Sequence, residues 1–364
     1  MSATNDRQAH GQRVAIALLA QYTERIDVRS PAEFAHDHIP GAINAPVLDN
    51  AERAQVGTLY ATSPFEARRL GAAIVARRIG AMLEGLFADQ PRDWKPLVYC
   101  WRGGQRSRAL AHVLNEVGWR AMQLDGGYRS WRRHVAAQLT TCPTAFEFIV
   151  ICGLTGSGKS RLLAALGAAG AQTLDLEGLA QHRGSLLGGW PDAPQPSQKA
   201  FESNLYCALE RLDPGRPVFV ESESRRVGVL QLPDALLAGM RSGRALTLRT
   251  PLAQRVALLK DEYGHFINAA AELDERLLPL APLHGKATLA HWSSLAQAGS
   301  WDTLVGELLE RHYDPAYTRS LAAHFPTAER GMTIDVHDAT CAGFDALARD
   351  VRSRIDVQAR ATSP

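Results

Sequence analysis

The sequence predicts an α/β protein with two domains, each built on a parallel sheet. Two strand–loop–helix units support this prediction. The apolar run 97–99 leads through a glycine-rich loop into a helical pattern that starts at residue 108, and the run 146–152 leads through a second such loop into the helical pattern of 161–166. Strands and helices that alternate in this way favour parallel sheets. The chain has 364 residues, which is enough for two cores of ordinary size.

A short stretch without hydrophobic periodicity, residues 140–144, marks the boundary between the domains. We place the first domain at residues 1–139 and the second at residues 145–364. Within the second, residues 261–310 are helical by pattern and rich in alanine and leucine, and we interpret them as an insertion. Further strands are predicted at 172–176, 217–221, 245–249 and 332–336.

The composition describes a globular protein, with 46% hydrophobic and 21% charged residues. A formal net charge of +2 does not by itself demand a nucleic-acid partner. The beginning of the chain is polar and no apolar run is long enough to span a bilayer, so we expect a cytoplasmic protein without membrane segments. Neither a disulfide framework nor a zinc site is expected from the five widely spaced cysteines, which are Cys100, Cys142, Cys152, Cys207 and Cys341.

The first glycine-rich loop places a cysteine where a strand ends and a helix is about to begin. Cys100 is followed by Gly103 and Gly104, with Arg102 and Arg106 in the same loop. Backbone N–H groups at a helix N-terminus, together with two guanidinium groups, favour an anion in such a loop. The same positive field favours the thiolate form of a cysteine over the thiol. We therefore predict that Cys100 is a reactive nucleophile, with Arg102 and Arg106 in its anion site.

The second loop contains the full pattern G-x-x-x-x-G-K-S between a strand and a helix. Its glycines allow backbone N–H groups to surround a phosphate, Lys159 can reach the outer oxygens, and the Ser160 hydroxyl can hold Mg²⁺. This P-loop predicts a di- or triphosphate site. Its phosphate-binding residues are predicted to be Gly153, Thr155, Gly156, Ser157, Gly158, Lys159 and Ser160.

An acidic residue ends the predicted strand 217–221. Glu221 stands where a P-loop fold places the carboxylate that orients its metal ion, and Glu223 is the competing candidate. Both are candidate metal or acid residues, and no metal is assigned with certainty.

Three segments of the first domain resemble the rhodanese-like domain. They read D-V-R-x-x-x-E-F at 27–34, H-I-P-G-A-x-N at 38–44, and the cysteine loop at 100–107. The resemblance implies a parallel sheet with Cys100 at the carboxyl ends of its strands. Five residues separate Cys100 from Arg106, one more than is common in sulfur carriers and the same number as in thiol phosphatases. On spacing alone, a phosphatase and a chalcogen transferase remain comparable.

A rhodanese-like domain with C-W-R-G-G-Q-R-S, followed by a P-loop NTPase-like α/β domain with a helical insertion, resembles the bacterial tRNA 2-selenouridine synthase family. The resemblance extends over nearly the whole chain. It rests on further blocks at 52–60, 175–185, 197–202, 223–228 and 313–317.

The resemblance implies a transferase that acts on the wobble uridine of tRNA. Members of the family replace the sulfur of 2-thiouridine by selenium from selenophosphate, and similar enzymes attach a geranyl group from geranyl diphosphate to that sulfur. We expect the P-loop to bind this diphosphate, with Lys159 and Arg183 offsetting its charge and Mg²⁺ as a candidate cation. Cys100 would serve the selenium step, either as a transient carrier or by positioning selenophosphate. Selenophosphate synthetase is a candidate partner.

Two departures from the family pattern affect these expectations. The acidic pair before the 223–228 block appears here as Glu221-Ser222, and the basic cluster near the helical insertion is reduced to the stretch 284–286. The candidate tRNA-binding residues are therefore Arg129, Arg132, Arg133, Arg225 and Arg226.

Two other functions remain open from the sequence. The spacing from Cys100 to Arg106 favours a thiol phosphatase fused to a nucleotide kinase, although that function does not explain the 313–317 block. The alternative is a sulfurtransferase or sulfur-carrier domain joined to a regulatory nucleotide-binding P-loop domain.

Overall fold

The computed structural model describes residues 13–191, 193–267, 270–325, 328 and 331–362. The chain forms two compact units. The first holds the described residues up to Gln138 together with Pro196–Cys207, and the second holds Leu139–Gln195 together with the described residues from Ala208 onward. None of the helices in these ranges combines the length and the apolarity that crossing a bilayer requires.

The first unit contains a five-stranded parallel sheet in the order β1-β5-β4-β2-β3. The parallel sheet predicted for this part of the chain is confirmed. The strands are β1 (Arg13–Val14), β2 (Arg25–Asp27), β3 (Ala42–Asn44), β4 (Leu97–Tyr99) and β5 (Met122–Leu124). The helices are α1 (Pro31–His36), α2 (Asn50–Thr62), α3 (Pro64–Glu84), α4 (Gln105–Val117) and α5 (Gly127–Gln138).

The helix after the cysteine loop begins earlier than its apolar pattern indicates. Gly104 precedes α4, which starts at Gln105, so Arg106 and Ser107 belong to its first turn. Helices α2 and α3 were not predicted from the sequence. Helix α2 has no buried residue, so it lacks the apolar stripe by which helices are recognised.

The second unit contains a five-stranded parallel sheet in the order β12-β11-β6-β8-β7 and a small antiparallel pair, β9 with β10. The strands are β6 (Phe148–Cys152), β7 (Gln172–Leu174), β8 (Val218–Glu221), β9 (Arg226–Val227), β10 (Leu230–Gln231), β11 (Arg244–Arg249) and β12 (Met332–Asp335). The five strands of the main sheet lie within or overlap the predicted ones, and β6 is buried throughout, as expected for a central parallel strand.

The helices that pack around this sheet include α6 (Lys159–Ala168), α7 (Leu176–Ala180), α9 (Asp234–Ser242) and α17 (Cys341–Thr362). Helix α8 (Gln198–Glu210) begins within the residues of the first unit and ends within those of the second. Its early part contacts α5, because the Trp131 indole N–H donates to Ser203 Oγ at 3.1 Å. The domain boundary drawn from the sequence assigns this stretch to the second domain alone.

The predicted helical region is longer than residues 261–310. It begins with α10 (Leu252–Glu262) and ends with α16 (Asp314–His324). Between them lie α11 (Gly264–Ile267), α12 (Ala270–Leu277), α13 (Ala281–His284), α14 (Lys286–Gln297), α15 (Trp301–Leu308) and a π-helical turn at Leu309–Tyr313. A separate apolar cluster around the fully buried Trp292 holds these short helices together.

Candidate functional site

Cys100 lies at the carboxyl end of β4, at the base of the loop that leads into α4. Its side chain is buried, and its Sγ accepts hydrogen bonds from the Gly104 N–H and from the Ser107 hydroxyl, both at 3.2 Å. Two donors at this distance would solvate a thiolate. The geometry therefore fits a nucleophile or an anion-binding thiol at the position that the sequence predicts.

Ser107 is held by Gln123, a residue that was not assigned to the site from the sequence. Gln123 on β5 donates to the Ser107 hydroxyl oxygen at 2.7 Å and to the carbonyl oxygens of Gly103 and Gly104 at 2.9 and 3.1 Å. Because Ser107 accepts from Gln123, its own proton is available for Cys100. The sequence signal for this role was a glutamine in a short strand of the sheet, because a buried side-chain amide must find hydrogen-bond partners.

The cysteine loop is braced by a double-glycine turn at Gly126-Gly127. The φ angles of Gly103 and Gly127 are +64° and +58°. A Cβ on Gly127 would lie 2.2 Å from the Cys100 carbonyl oxygen, so only glycine allows this approach. The Tyr128 N–H then donates to the same carbonyl at 2.9 Å. The turn thus fixes the backbone that presents Cys100.

The structure separates the two arginines predicted for the anion site. Arg102 is exposed on the loop, whereas the Arg106 guanidinium is paired with Glu33 of α1 at 2.8 Å and is 18% exposed. Burial raises the pKa of Glu33, but the hydrogen bond and charge of Arg106 outweigh burial and hold that pKa below its ordinary value. The positive charge of Arg106 is therefore largely offset before any anion binds.

The second site is a cleft of about 280 Å³ at the P-loop. Gly158 has a φ of +85°, and a Cβ there would lie 2.2 Å from the ring of Phe344 on α17. Lys159 opens α6, and its ammonium donates to the Gly153 carbonyl at 3.2 Å. The cleft brings together most of the predicted residues of the second unit, namely Thr155, Gly156, Ser157, Gly158, Lys159, Ser160, Arg183, Glu221 and Glu223.

Three carboxylates meet in this cleft. One oxygen from each of Glu177, Glu221 and Glu223 lies within 4.8 Å of the others. Ser160 Oγ donates to Glu177 at 3.1 Å. The buried Glu221 lies near the same hydroxyl, but neither of its oxygens forms a hydrogen bond of regular geometry with any described residue. The sequence analysis did not assign Glu177 to the site, because it lies in α7, a turn past the end of its strand.

Crowding of the carboxylates alters their proton affinity. Burial and the charge of Glu177 raise the pKa of Glu223 to about 8, against the opposing effect of Lys159. Burial and the same neighbour raise the pKa of Glu221 well above its ordinary value. Burial lowers the pKa of Lys159, but Tyr317 and the carboxylates outweigh it, so that pKa is raised and the ammonium stays charged.

These carboxylates fit a divalent cation. Hard ions such as Mg²⁺ prefer carboxylate and hydroxyl oxygens, and the unpartnered oxygens of Glu221 are available as ligands. Glu177, Glu223 and Ser160 complete a set of four oxygen-bearing side chains around one point of the cleft.

Arg183 supplies positive charge on the facing wall. Its guanidinium carbon lies 5.0 Å from the centroid of the Tyr263 ring, and its buried Nη1 has no hydrogen-bond partner among the described residues. A buried guanidinium nitrogen without a partner is costly, and an anion in the cleft would satisfy it.

An apolar pocket of about 70 Å³ adjoins the cleft. It shares Thr155, Ser185, Leu259, Tyr263 and Tyr313 with the cleft, so the two spaces lie side by side. Leu187, from the loop after α7, forms part of its wall. Its other walls come from the helical region and include Phe266, Leu273, Trp301, Leu304, Val305 and Leu308. The sequence analysis assigned no mechanism to these apolar residues, because core and pocket residues follow the same helical pattern.

A buried ion pair joins the helical region to the P-loop. Arg255 on α10 forms two hydrogen bonds with Asp314, at 2.5 and 3.0 Å, and its Nε donates to the Thr155 carbonyl at 2.9 Å. Asp314 begins α16, which also carries Tyr317; the Lys159 ammonium lies 5.0 Å from the centroid of that ring. The 313–317 block of the sequence therefore forms one wall of the phosphate site.

The five candidate tRNA-binding arginines have different environments. Arg129, Arg133 and Arg226 are exposed, and Arg225 is exposed while it pairs with Asp234 at 2.9 Å. Arg132 is only 15% exposed, because its guanidinium is bonded to Glu202 and to Ser203. In this structure the Arg132 guanidinium is therefore paired within the first unit, and its contact with tRNA stays a prediction.

Two models of protein domains match this chain, one in each half of the sequence. The model of the rhodanese-like domain matches residues 15–134, and that of the tRNA 2-selenouridine synthase AAA domain matches residues 146–280. A tRNA 2-selenouridine synthase of Nitrosomonas europaea is 37% identical, over 73% of this chain and 70% of that protein. One of Bdellovibrio bacteriovorus is 33% identical, over 84% of this chain and 90% of that protein.

Among solved structures, a rhodanese-related protein of Thermoplasma volcanium is 21% identical over 34% of this chain and 92% of that chain. Its TM-score of 0.23 gives this likeness no weight. The two curated relatives carry more weight, because each is more than 30% identical to this chain over more than two thirds of its length. The chain belongs to the tRNA 2-selenouridine synthase family.

Proposed function

We propose that this enzyme converts 2-thiouridine at the wobble position of tRNA to 2-selenouridine through an S-geranyl intermediate. The observation that carries the proposal is the adjacency of a P-loop cleft, which suits a diphosphate, and an apolar pocket, which suits a hydrocarbon chain. A nucleotide would use the first feature but not the second. A prenyl diphosphate uses both.

Geranyl diphosphate would lie with its phosphates on the P-loop. Backbone N–H groups of the loop, the Lys159 ammonium and the unpartnered Arg183 nitrogen would bind the phosphate oxygens. The geranyl chain would enter the pocket between Tyr263 and Tyr313. At about 70 Å³ the pocket is smaller than a ten-carbon chain, so part of the chain would lie in the adjoining cleft.

The first step is alkylation of sulfur. The thiouridine sulfur attacks carbon 1 of the geranyl group, the carbon–oxygen bond breaks, and pyrophosphate leaves with the electron pair. Atom N3 of the base gives up its proton, so that the alkylated base is neutral. Lys159 and Arg183 stabilise the charge that accumulates on the departing oxygens. Tyr317, over the Lys159 ammonium, helps to exclude water from this charge.

Glu177, Glu221, Glu223 and Ser160 would hold Mg²⁺ beside the diphosphate. When bound, Mg²⁺ supplies positive charge that neutralises the diphosphate oxygens. Without a cation, each of the three groups that stayed ionised would oppose anion binding. The proposal therefore requires that the substrate of the cleft is a cation–diphosphate complex.

The second step replaces the alkylated sulfur by selenium. Selenide adds at carbon 2 of the base and geranylthiol leaves, which is easier than expelling a thiocarbonyl sulfur. Selenophosphate already holds selenium at the oxidation level of selenide, so water can release it together with phosphate. Transfer onto Cys100 as a selenosulfide would need an oxidant. The donors of Gly104 and Ser107 therefore support a positioning role for the Cys100 loop rather than a carrier role.

The proposed reaction also implies a macromolecular substrate, a source of selenium and a cellular compartment. The macromolecular substrate is tRNA that carries 2-thiouridine, selenophosphate synthetase is a proposed source of selenophosphate, and the reaction would take place in the cytoplasm. A phosphatase is disfavoured, because the pairing of Arg106 with Glu33 offsets the charge that a phosphatase loop requires.

The test is mass spectrometry of nucleosides from 2-thiouridine-containing tRNA after incubation with the pure protein. Geranyl diphosphate and selenophosphate are supplied separately and together. We expect geranylated thiouridine with the first alone, and selenouridine only with both. Unchanged tRNA in every mixture, with hydrolysis of simple phosphate esters, would support the phosphatase instead.

A further inference from the structure

The residue after Cys100 is an aromatic side chain that the proposed chemistry does not use. Trp101 is 37% exposed, although burying so large an apolar side chain would be favourable. Its backbone carbonyl accepts a hydrogen bond from the Arg129 N–H at 3.0 Å, so its position relative to α5 is fixed. An exposed tryptophan in a fixed loop beside a reactive thiol calls for an explanation.

Trp101 rests on a rigid column of buried groups. Its ring lies 5.2 Å from the ring of Tyr128, centroid to centroid, at an interplanar angle of 35°. On Tyr128 lies the guanidinium of Arg29, whose carbon is 3.8 Å from the ring centroid. Arg29 is in turn bonded to the fully buried Asp27 at 2.5 Å. The Tyr128 hydroxyl donates to Asp37 at 2.6 Å, so the column cannot shift sideways.

Exposed arginines lie next to Trp101 in the chain and on α5, the helix to which its carbonyl oxygen is bonded. Arg102 follows Trp101 directly and is exposed. Arg129 and Arg133 are exposed too, and their spacing of four residues places them on one side of α5. Guanidinium groups around an aromatic face are the combination that binds an unpaired base and its flanking phosphates.

We propose that Trp101 is a stacking platform for one unpaired base of an RNA loop, with Arg102, Arg129 and Arg133 on the adjacent phosphates. The inference rests on the proposed function for the identity of the RNA, which is the anticodon loop of the substrate tRNA. Stacking on Trp101 would hold the loop so that a neighbouring nucleotide reaches Cys100. Because the column is preformed, little ordering of the protein is needed on binding.

The test is the affinity of the full-length protein for a labelled anticodon stem-loop RNA, measured by fluorescence anisotropy. Trp101→Ala should weaken binding about tenfold or more, the usual effect of losing one base–aromatic stack, whereas Trp101→Phe should stay within about threefold of the wild type. The control is Phe65→Ala, which removes a more exposed aromatic side chain, 73% exposed, from α3 of the same unit.

Base deletions identify the contact. Abasic substitutions made one at a time along the loop should reveal one position where the wild type loses about tenfold, and Trp101→Ala should lose nothing further at that position. Equal binding by Trp101→Ala and the wild type, equal losses in Phe65→Ala, or an equal loss on fully paired RNA would overturn the proposal. Intact stacking without any nucleoside change in tRNA would instead contradict the proposed function alone.

Discussion

Ser107 is the side chain through which the Cys100 site can be tested with the smallest change. It donates to Cys100 Sγ and is itself held by Gln123. Ser107→Ala removes one of two donors to the sulfur, and we expect selenium incorporation to slow by about tenfold or more. Geranylation by the same variant should be unchanged. Quantified nucleosides from parallel reactions provide the measurement.

Thr62→Ala is the control for Ser107→Ala, because it also removes a hydroxyl from the first unit, but an exposed one at the end of α2 that bonds to the Leu59 carbonyl oxygen. It should keep both activities. If Ser107→Ala slowed geranylation and selenium incorporation equally, the assignment of the Cys100 loop to the second step would be wrong.

Glu177 allows a test of the cation site. Glu177→Gln removes one of three carboxylates while keeping the shape of the side chain, so we expect the affinity for Mn²⁺, a magnetic substitute for Mg²⁺, to fall by about tenfold. Electron paramagnetic resonance of free Mn²⁺ measures this without any turnover. The control is Glu262→Gln, which lines the same cleft but pairs with Arg161. Equal affinities in both variants and the wild type would remove Glu177 from the site.

At the scale of elements, the pair Arg255–Asp314 joins α10 and α16 to the P-loop. Asp314→Asn leaves the guanidinium of Arg255, which is 4% exposed, without its charge partner. We expect the free energy of unfolding to fall by about 3 kcal/mol. Because α16 carries Tyr317 over Lys159, the KM for geranyl diphosphate should also rise. Thermal unfolding and initial rates measure the two effects.

The exposed pair Arg354–Asp350 on α17 serves as the control for this ion pair, since it lines neither the cleft nor the apolar pocket. Asp350→Asn should change the free energy of unfolding by less than about 1 kcal/mol and leave the KM unaltered. A similar loss of stability in both variants, with no change in KM for Asp314→Asn, would mean that the buried pair does not position the phosphate site.

The strands, loops and helices around the two sites differ in how well they could be predicted from the sequence. The strands beside Cys100 and before the P-loop were predictable, because short apolar runs next to glycine-rich loops have few other interpretations. The P-loop cleft followed from one motif. Glu177 and Gln123 were not assigned to a site, since each reaches it through sheet order rather than sequence spacing. The apolar pocket was also missed, because its walls come from four helices, the π turn and two loops that are far apart in the sequence.

For the molecule as a whole, the carboxylate cluster predicts a pH-dependent response to Mg²⁺. Burial and Glu177 raise the pKa of Glu223 to about 8, so between its ordinary value of 4.5 and about 8 the folded chain holds a proton that the unfolded chain has released. The stability from this protonation is present at low pH and is lost as the pH rises through about 8. A cation replaces the missing proton, and the Tm increase with Mg²⁺ should be larger at about pH 9 than at about pH 6.

Glu223→Gln should flatten this dependence, because the amide does not titrate. Calorimetry of the wild type and the variant, with and without Mg²⁺ at both pH values, gives the comparison. A Tm increase that is the same at both pH values in the wild type would contradict a cation bound by these carboxylates.

The two proposed reaction steps take place at two separate sites, and product analysis of two variants tests this assignment most directly. Nucleosides from 2-thiouridine-containing tRNA are measured by mass spectrometry after incubation with Lys159→Ala or Cys100→Ala, geranyl diphosphate and selenophosphate. We predict unchanged thiouridine with Lys159→Ala and accumulated geranylated thiouridine with Cys100→Ala. Loss of geranylation in Cys100→Ala with normal selenium incorporation, or geranylation by Lys159→Ala at the wild-type rate, would contradict it.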